Sequence, residues 1–107
     1  MANNYKNAKV DLTDTNANVL YTAPSATTSL IKSILVSEDS GNADTITVTI
    51  TDATSVVFSI FKVKAIGANT TVELLTEPIV VQENEIIKVT AATANRLHVV
   101  ASLLEIS

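Results

Sequence analysis

The sequence predicts an all-β fold, a single-domain antiparallel β-sandwich or jelly-roll-like domain of eight or nine short strands. Three observations carry that expectation. Thr45-Ile46-Thr47-Val48-Thr49-Ile50-Thr51 alternates polar and apolar residues without a break, the period-two pattern of a half-buried strand. Turn-forming clusters recur about every ten residues, the spacing expected of sandwiches and jelly rolls. No window sustains the periodicity of an amphipathic helix, Ala91 to Asn95 being long enough for a single turn only. The 107 residues suffice for one domain that buries roughly 65% of its unfolded surface. Hydrophobic residues make up 47% and aromatics only 4%, so Ile, Val, Leu and Ala must fill the core.

Taken in order, the first dozen residues are rich in asparagine and lysine. They read as an N-terminal arm leading into a short strand around Lys9-Val10-Asp11-Leu12, which makes residues 1–12 arm and first strand and residues 13–107 the sandwich. Thr13 to Asn18 is a turn by composition. Val19-Leu20-Tyr21-Thr22 is a strand, ended by Ala23-Pro24-Ser25 because proline cannot donate to a central ladder. Ile31 to Asp52 is the organising stretch. Its β-branched first half runs through Glu38-Asp39-Ser40-Gly41-Asn42-Ala43-Asp44, a turn by residue type, into the threonine-rich alternation, so the pair is expected to form an antiparallel hairpin. After Asp52-Ala53-Thr54-Ser55, a long strand spans Val56 to Ile66 and Gly67-Ala68-Asn69 closes it. Thr71 to Leu75 is a strand, Glu77-Pro78 interrupts, and Ile79-Val80-Val81 resumes. Gln82-Glu83-Asn84 turns the chain into Glu85 to Thr90, and the last strand runs from Leu97 to Ile106.

Two strands are apolar on both faces, which an isolated sandwich does not require. Val56, Phe58 and Ile60 alternate against Val57, Phe61 and Val63. In the last strand, Leu97, Val99, Ala101 and Leu103 alternate against Val100, Leu104 and Ile106. Leu35 faces outward if Ile34 and Val36 face the core. Central strands covered by loops would account for this, and so would a sheet whose outer face packs on another subunit. Leaving five or six large apolar side chains exposed sacrifices about 1.5–3 kcal/mol each relative to burial, which favours a partner. The expected interface residues are Leu35, Val57, Phe61, Val63 and whichever of Leu103 and Leu104 points out, with Lys6 and Lys9 of the arm.

Chemistry-bearing motifs are sparse. Without cysteine there is neither a disulfide framework nor thiolate chemistry. His98 is the single histidine and no base–orienter pair can be named for it, so no catalytic residue is assigned. Glu38, Asp39, Asn42 and Asp44 offer oxygens, but the alternating spacing of a calcium loop is absent, and neither metal nor cofactor is expected. Glu77, Glu83 and Glu85 read as a charged loop that keeps an edge soluble. Lys62 and Lys64 are expected to cap an apolar stripe or pair with acids rather than bind phosphate. The formal net charge is −4 with scattered basic residues, which argues against nucleic acid. No stretch has the length of a membrane span or a signal-peptide core, so the chain is expected to be made and used unprocessed in a cytoplasm.

The succession Leu20-Tyr21-Thr22-Ala23-Pro24 followed by Ile31-Lys32-Ser33-Ile34-Leu35-Val36-Ser37-Glu38-Asp39-Ser40-Gly41 resembles small virion proteins of tailed bacteriophages, particularly phages of marine bacteria. Leu74 to Val81, Glu85 to Ala91 and the Leu97-to-Ile106 ending fit the same pattern, so the resemblance covers residues 19 to 107. It implies a β-sandwich virion component. The first expectation is a capsid decoration (cement) protein on the outer shell, made in the host bacterial cytoplasm, that contacts the major capsid protein and itself as a homo-oligomer such as a trimer. A head–tail connector, tail or fibre component is the second. A lectin-like module for a glycan or host surface is the alternative from another class, weakened by the scarcity of aromatic residues.

Overall fold

A computed structural model describes residues 3–107. Its strands are β1 (Asn3–Leu12), β2 (Asn18–Thr22), β3 (Thr28–Glu38), β4 (Asp44–Thr51), β5 (Val57–Ile66), β6 (Thr71–Glu73), β7 (Ile79–Val81), β8 (Ile86–Ala91) and β9 (Leu97–Ile106). They form two antiparallel sheets. One runs β1-β9-β3 with β6 and β7 end to end along the far edge of β3, and the other runs β2-β8-β4-β5. Apart from β4 to β5 and β6 to β7, every connection passes from one sheet to the other. That is the winding of a jelly roll. The single all-β domain is as the sequence predicts.

The core forms where inward positions of the two sheets meet. Ile31, Ile34, Val36, Leu97, Val99 and Leu103 from one sheet face Ile46, Val48, Ile87, Val89 and Ile66 from the other, all within 1% of complete burial. β-branched side chains dominate because they suit a pleated surface on which neighbours pack from both sides.

The expected hairpin between Ile31 and Asp52 does not form. β3 pairs with β9, β6 and β7, whereas β4 pairs with β5 and β8 in the opposite sheet. The connection is an arch, and Glu38 explains how it is held. Its buried carboxylate accepts the backbone N–H groups of Ser40 (2.8 Å), Gly41 (3.1 Å) and Asn69 (3.0 Å), together with the Ser40 hydroxyl. Backbone donors that a hairpin would give to its partner strand go to a carboxylate instead. Burial alone would raise the Glu38 pKa, but the Ser40 hydroxyl and the three N–H donors outweigh it and hold the group at about 2. Gly41 takes a φ of 83° at the crown of the arch, which glycine adopts without strain.

Three further expectations are corrected. The residues taken as an arm form most of β1, which stays in unbroken register with β9 from Asn3 opposite Ile106 to Leu12 opposite Leu97. The part of the arm at Met1 and Ala2 lies outside the described residues. Ala8, Val10 and Leu12 supply the inward stripe that earns β1 its place. Leu103 is 1% exposed and belongs to the core, so the outward member of that pair is Leu104. The strand expected from Val56 to Ile66 begins at Val57 and lies at a sheet edge, and its alternation does not hold throughout. Two register shifts against β4 and a φ of 53° at Val63 break its alternation, so Val57 and Phe58 are both exposed while Ile60 and Phe61 both pack inward.

The far edge of β3 is also irregular. Between β6 and β7 the chain leaves the ladder and tucks Leu74 and Leu75 under the sheet. Glu73 fills the gap: its carboxylate accepts the N–H groups of Ile34 (2.8 Å) and Leu75 (3.2 Å) and the Ser33 hydroxyl. Leu74 donates its own N–H to the Ile34 carbonyl at 2.9 Å.

Candidate interaction surfaces

Cross-strand register turns the outer face of the β1-β9-β3 sheet into rows of side chains. Tyr5 lies opposite Leu104, Leu104 opposite Leu30, and Leu30 opposite Val80, giving an apolar row across four strands. Tyr5 is 72% and Val80 53% exposed, while Leu104 and Leu30 are half-buried between them. The next row is polar, with Asn7, Ser102 and Ser33. A third, mixed row holds Lys9, Val100, Leu35 and Glu73. The fourth is polar again, with Asp11, His98, Ser37 and Thr71. Apolar contact area is thus concentrated toward the end of the sandwich that carries Tyr5. There Lys32 places its ammonium 5.7 Å from the Tyr5 ring centroid, and the two residues border a shallow depression of about 500 Å³ that Asn7 and Ser102 also line.

Further exposed apolar side chains line the β5 edge of the other sheet. Val57, Phe58 and Val63 of β5 are between 52% and 59% exposed. β5 bulges where the Thr47 hydroxyl accepts the Val63 N–H at 3.1 Å, and Lys62 and Lys64 flank the bulge in solvent. Of the residues singled out in the sequence, Leu35, Val57, Val63 and Leu104 are outward, Phe61 is half-buried against the core, and Leu103 is inside. Lys6 turns toward the sandwich end and pairs with Glu105 at 3.6 Å, while Lys9 stays on the outer face and donates to Asn7 at 3.2 Å. Tyr5, Leu30 and Val80 were missed. The one signal for Tyr5 in the sequence is a lone aromatic in a polar stretch, and nothing in the pattern places it beside Leu104.

Polar clusters are tied to the fold. The hydroxyls of Tyr21 and Ser29 lie 2.6 Å apart, and the Tyr21 hydroxyl donates to Glu105, closing the end of the sandwich beneath Lys6. Burial first, and the Glu105 carboxylate second, push the Tyr21 phenol up to about 12. His98 stands between Asp11 (3.2 Å from Nε2) and Asp39 (3.5 Å from Nδ1), and all three are exposed. In the acidic turn, Glu38 serves the arch, and Asp44 accepts the Thr93 N–H at 3.1 Å. Among the described residues no three His, Asp or Glu side chains converge as metal ligands. No family model and no curated protein matches the chain.

Proposed function

We propose that the chain is a virion structural protein, a decoration (cement) protein that binds the outer shell of a tailed phage and stiffens it through contacts between subunits. The observation that supports this most is that both sheets expose apolar side chains, the Tyr5-Leu104-Leu30-Val80 row on one and Val57, Phe58 and Val63 along the β5 edge of the other. One domain can then meet the shell with one surface and a neighbour with the other, and modest contacts repeated over a lattice add up to firm attachment. The jelly roll is a fold that capsid and lectin domains both use, so it agrees with the reading without deciding it. The phage identity rests on the sequence resemblance.

Purified phage heads, mixed with the chain and pelleted, test the proposal. Retention on heads, weakened by Val80→Glu or Phe58→Glu in folded protein, is the expected result. A chain found in tails and not on heads moves the reading to a connector, tail or fibre component. A lectin role has one observation in its favour, the exposed Tyr5 ring beside the shallow depression. Binding to a glycan array that Tyr5→Ala abolishes, with no binding to heads, would replace the structural reading.

A further inference from the structure

The sheet edges of this sandwich are finished differently. Unpaired edge strands invite pairing with other chains, and folded proteins blunt them with short strands, bulges, lysines and prolines. The β6–β7 edge consists of two three-residue pieces separated by an excursion that contains Pro78. β2 has five residues and a register shift between Val19 and Tyr21. β5 has ten residues but carries register shifts, a left-handed Val63, and exposed Lys62 and Lys64. β1 shares the exposed lysines, Lys6 and Lys9, but has ten residues, no bulge, no proline and no residue at positive φ. Among the described residues, no strand of the chain pairs with its second edge.

We propose that β1 is an association edge whose occupant is a second copy of this chain, pairing antiparallel about a two-fold axis at Asn7. The reading does not depend on the phage assignment. With the axis perpendicular to the sheet, outward residues of one copy oppose outward residues of the other, as an isologous interface requires. Tyr5 then lies opposite Lys9 of the second copy, Asn3 opposite Asp11, Lys6 opposite Ala8, and Asn7 opposite itself. Nine residues of each strand pair and no like charges stand directly opposite each other. Axes at Lys6 or Lys9 would each place two ammonium groups face to face, which is destabilising. The Tyr5 ring already has Lys32 at 5.7 Å. Its exposed remainder offers the Lys9 of the second copy a place over the aromatic face. The apolar row of each copy then continues into the mixed Lys9-Val100-Leu35-Glu73 row of the other.

Sedimentation velocity on the full chain at about 100 µM tests this, since an interface of this size belongs to the weak, small-area class. The expected species has twice the mass of the 11.3 kDa chain. Tyr5→Lys creates two opposed lysine pairs per dimer and should weaken association by about fivefold to tenfold. Adding Lys9→Glu turns both into Lys–Glu pairs and should restore it. Within one strand, positions 5 and 9 are too far apart to touch, so the rescue can only run between copies. Because the chain has no cysteine, Asn7→Cys should cross-link into a covalent dimer under mild oxidation, whereas Val57→Cys on β5 should not. A parent protein that stays monomeric, a dimer that Tyr5→Lys leaves intact, absence of rescue, or cross-linking through Val57→Cys alone would each overturn the proposal. Circular dichroism of every variant confirms that the sandwich is folded.

Discussion

β1 and β5 are both ten-residue strands at the edge of a sheet, and they are made in opposite ways. β1 is polar and regular, with Asn3, Asn4, Tyr5, Asn7 and Lys9 in solvent and a straight ladder to β9. β5 is apolar and irregular, with Val57, Phe58 and Val63 in solvent and a ladder to β4 broken twice. Apolar side chains and an open backbone edge are therefore separate liabilities. β5 carries the side chains, and its two bulges spoil the backbone template. β1 keeps the template and surrounds it with amides. Contacts at β5 are therefore expected to be made by side chains, and contacts at β1 by backbone pairing.

Removing each strand's contribution should separate the two. Deleting residues 3–12 strips β9 of its neighbour and takes Leu12, which is fully buried, out of the core. Loss of that one leucine side chain alone is of the order of 2–5 kcal/mol. Thermal melting should show a large fall or failure to fold, and an unchanged midpoint would mean that β1 is dispensable. Next in size is a contrast inside β9. Leu103→Ala opens a cavity in the core and should cost about 2–5 kcal/mol, whereas Leu104→Ala removes a half-buried outward side chain and should cost about 1 kcal/mol or less. Urea titrations giving equal losses would show that the strand's two faces are not distinguished as described.

A smaller effect depends on pH. Glu38 has its folded pKa lowered to about 2 from an ordinary 4.5, so its contribution to stability is fully present above about pH 4.5 and is lost as pH falls through 2. Glu73 is shifted the same way: burial opposes the shift, and the Ser33 hydroxyl and backbone donors prevail. Unfolding followed from pH 6 to pH 2 should show falling stability. Glu38→Gln should lower stability at pH 6 and flatten that fall, and a parallel pH profile would remove Glu38 from the account of the arch. The smallest effects are expected on β5. Val63→Gly relieves a β-branched residue at φ 53° and should be neutral or stabilising by up to about 1 kcal/mol. Val57→Lys should change stability by no more than about 0.5 kcal/mol.

The same contrast explains what could be read from the sequence. Inward faces are legible in β3 and β4, where Ile34, Val36, Ile46 and Val48 keep period two over several residues, whereas in β9 the strand position alone is legible. Partners were not. Alternation states which way a side chain points and says nothing about which strand lies alongside, so the Glu38 arch was read as a hairpin. β1 was read as an arm because its outward and edge-facing residues are polar, and its inward stripe begins only at Ala8. β5 was read as two-faced because bulges shift parity without leaving a glycine or proline to mark them. For β9, apolar residues on both sides gave no means of choosing between Leu103 and Leu104. The surface row was legible only after register placed Tyr5, Leu104, Leu30 and Val80 side by side.

Amide hydrogen exchange of β1 and β5, compared between dilute and concentrated protein, tests most directly whether the regular edge is the one that associates. Amides of Asn3–Leu12 that face away from β9 should exchange more slowly as concentration rises, while those of Val57–Ile66 keep their rates. Protection that grows in β5 and leaves β1 unchanged would contradict the account.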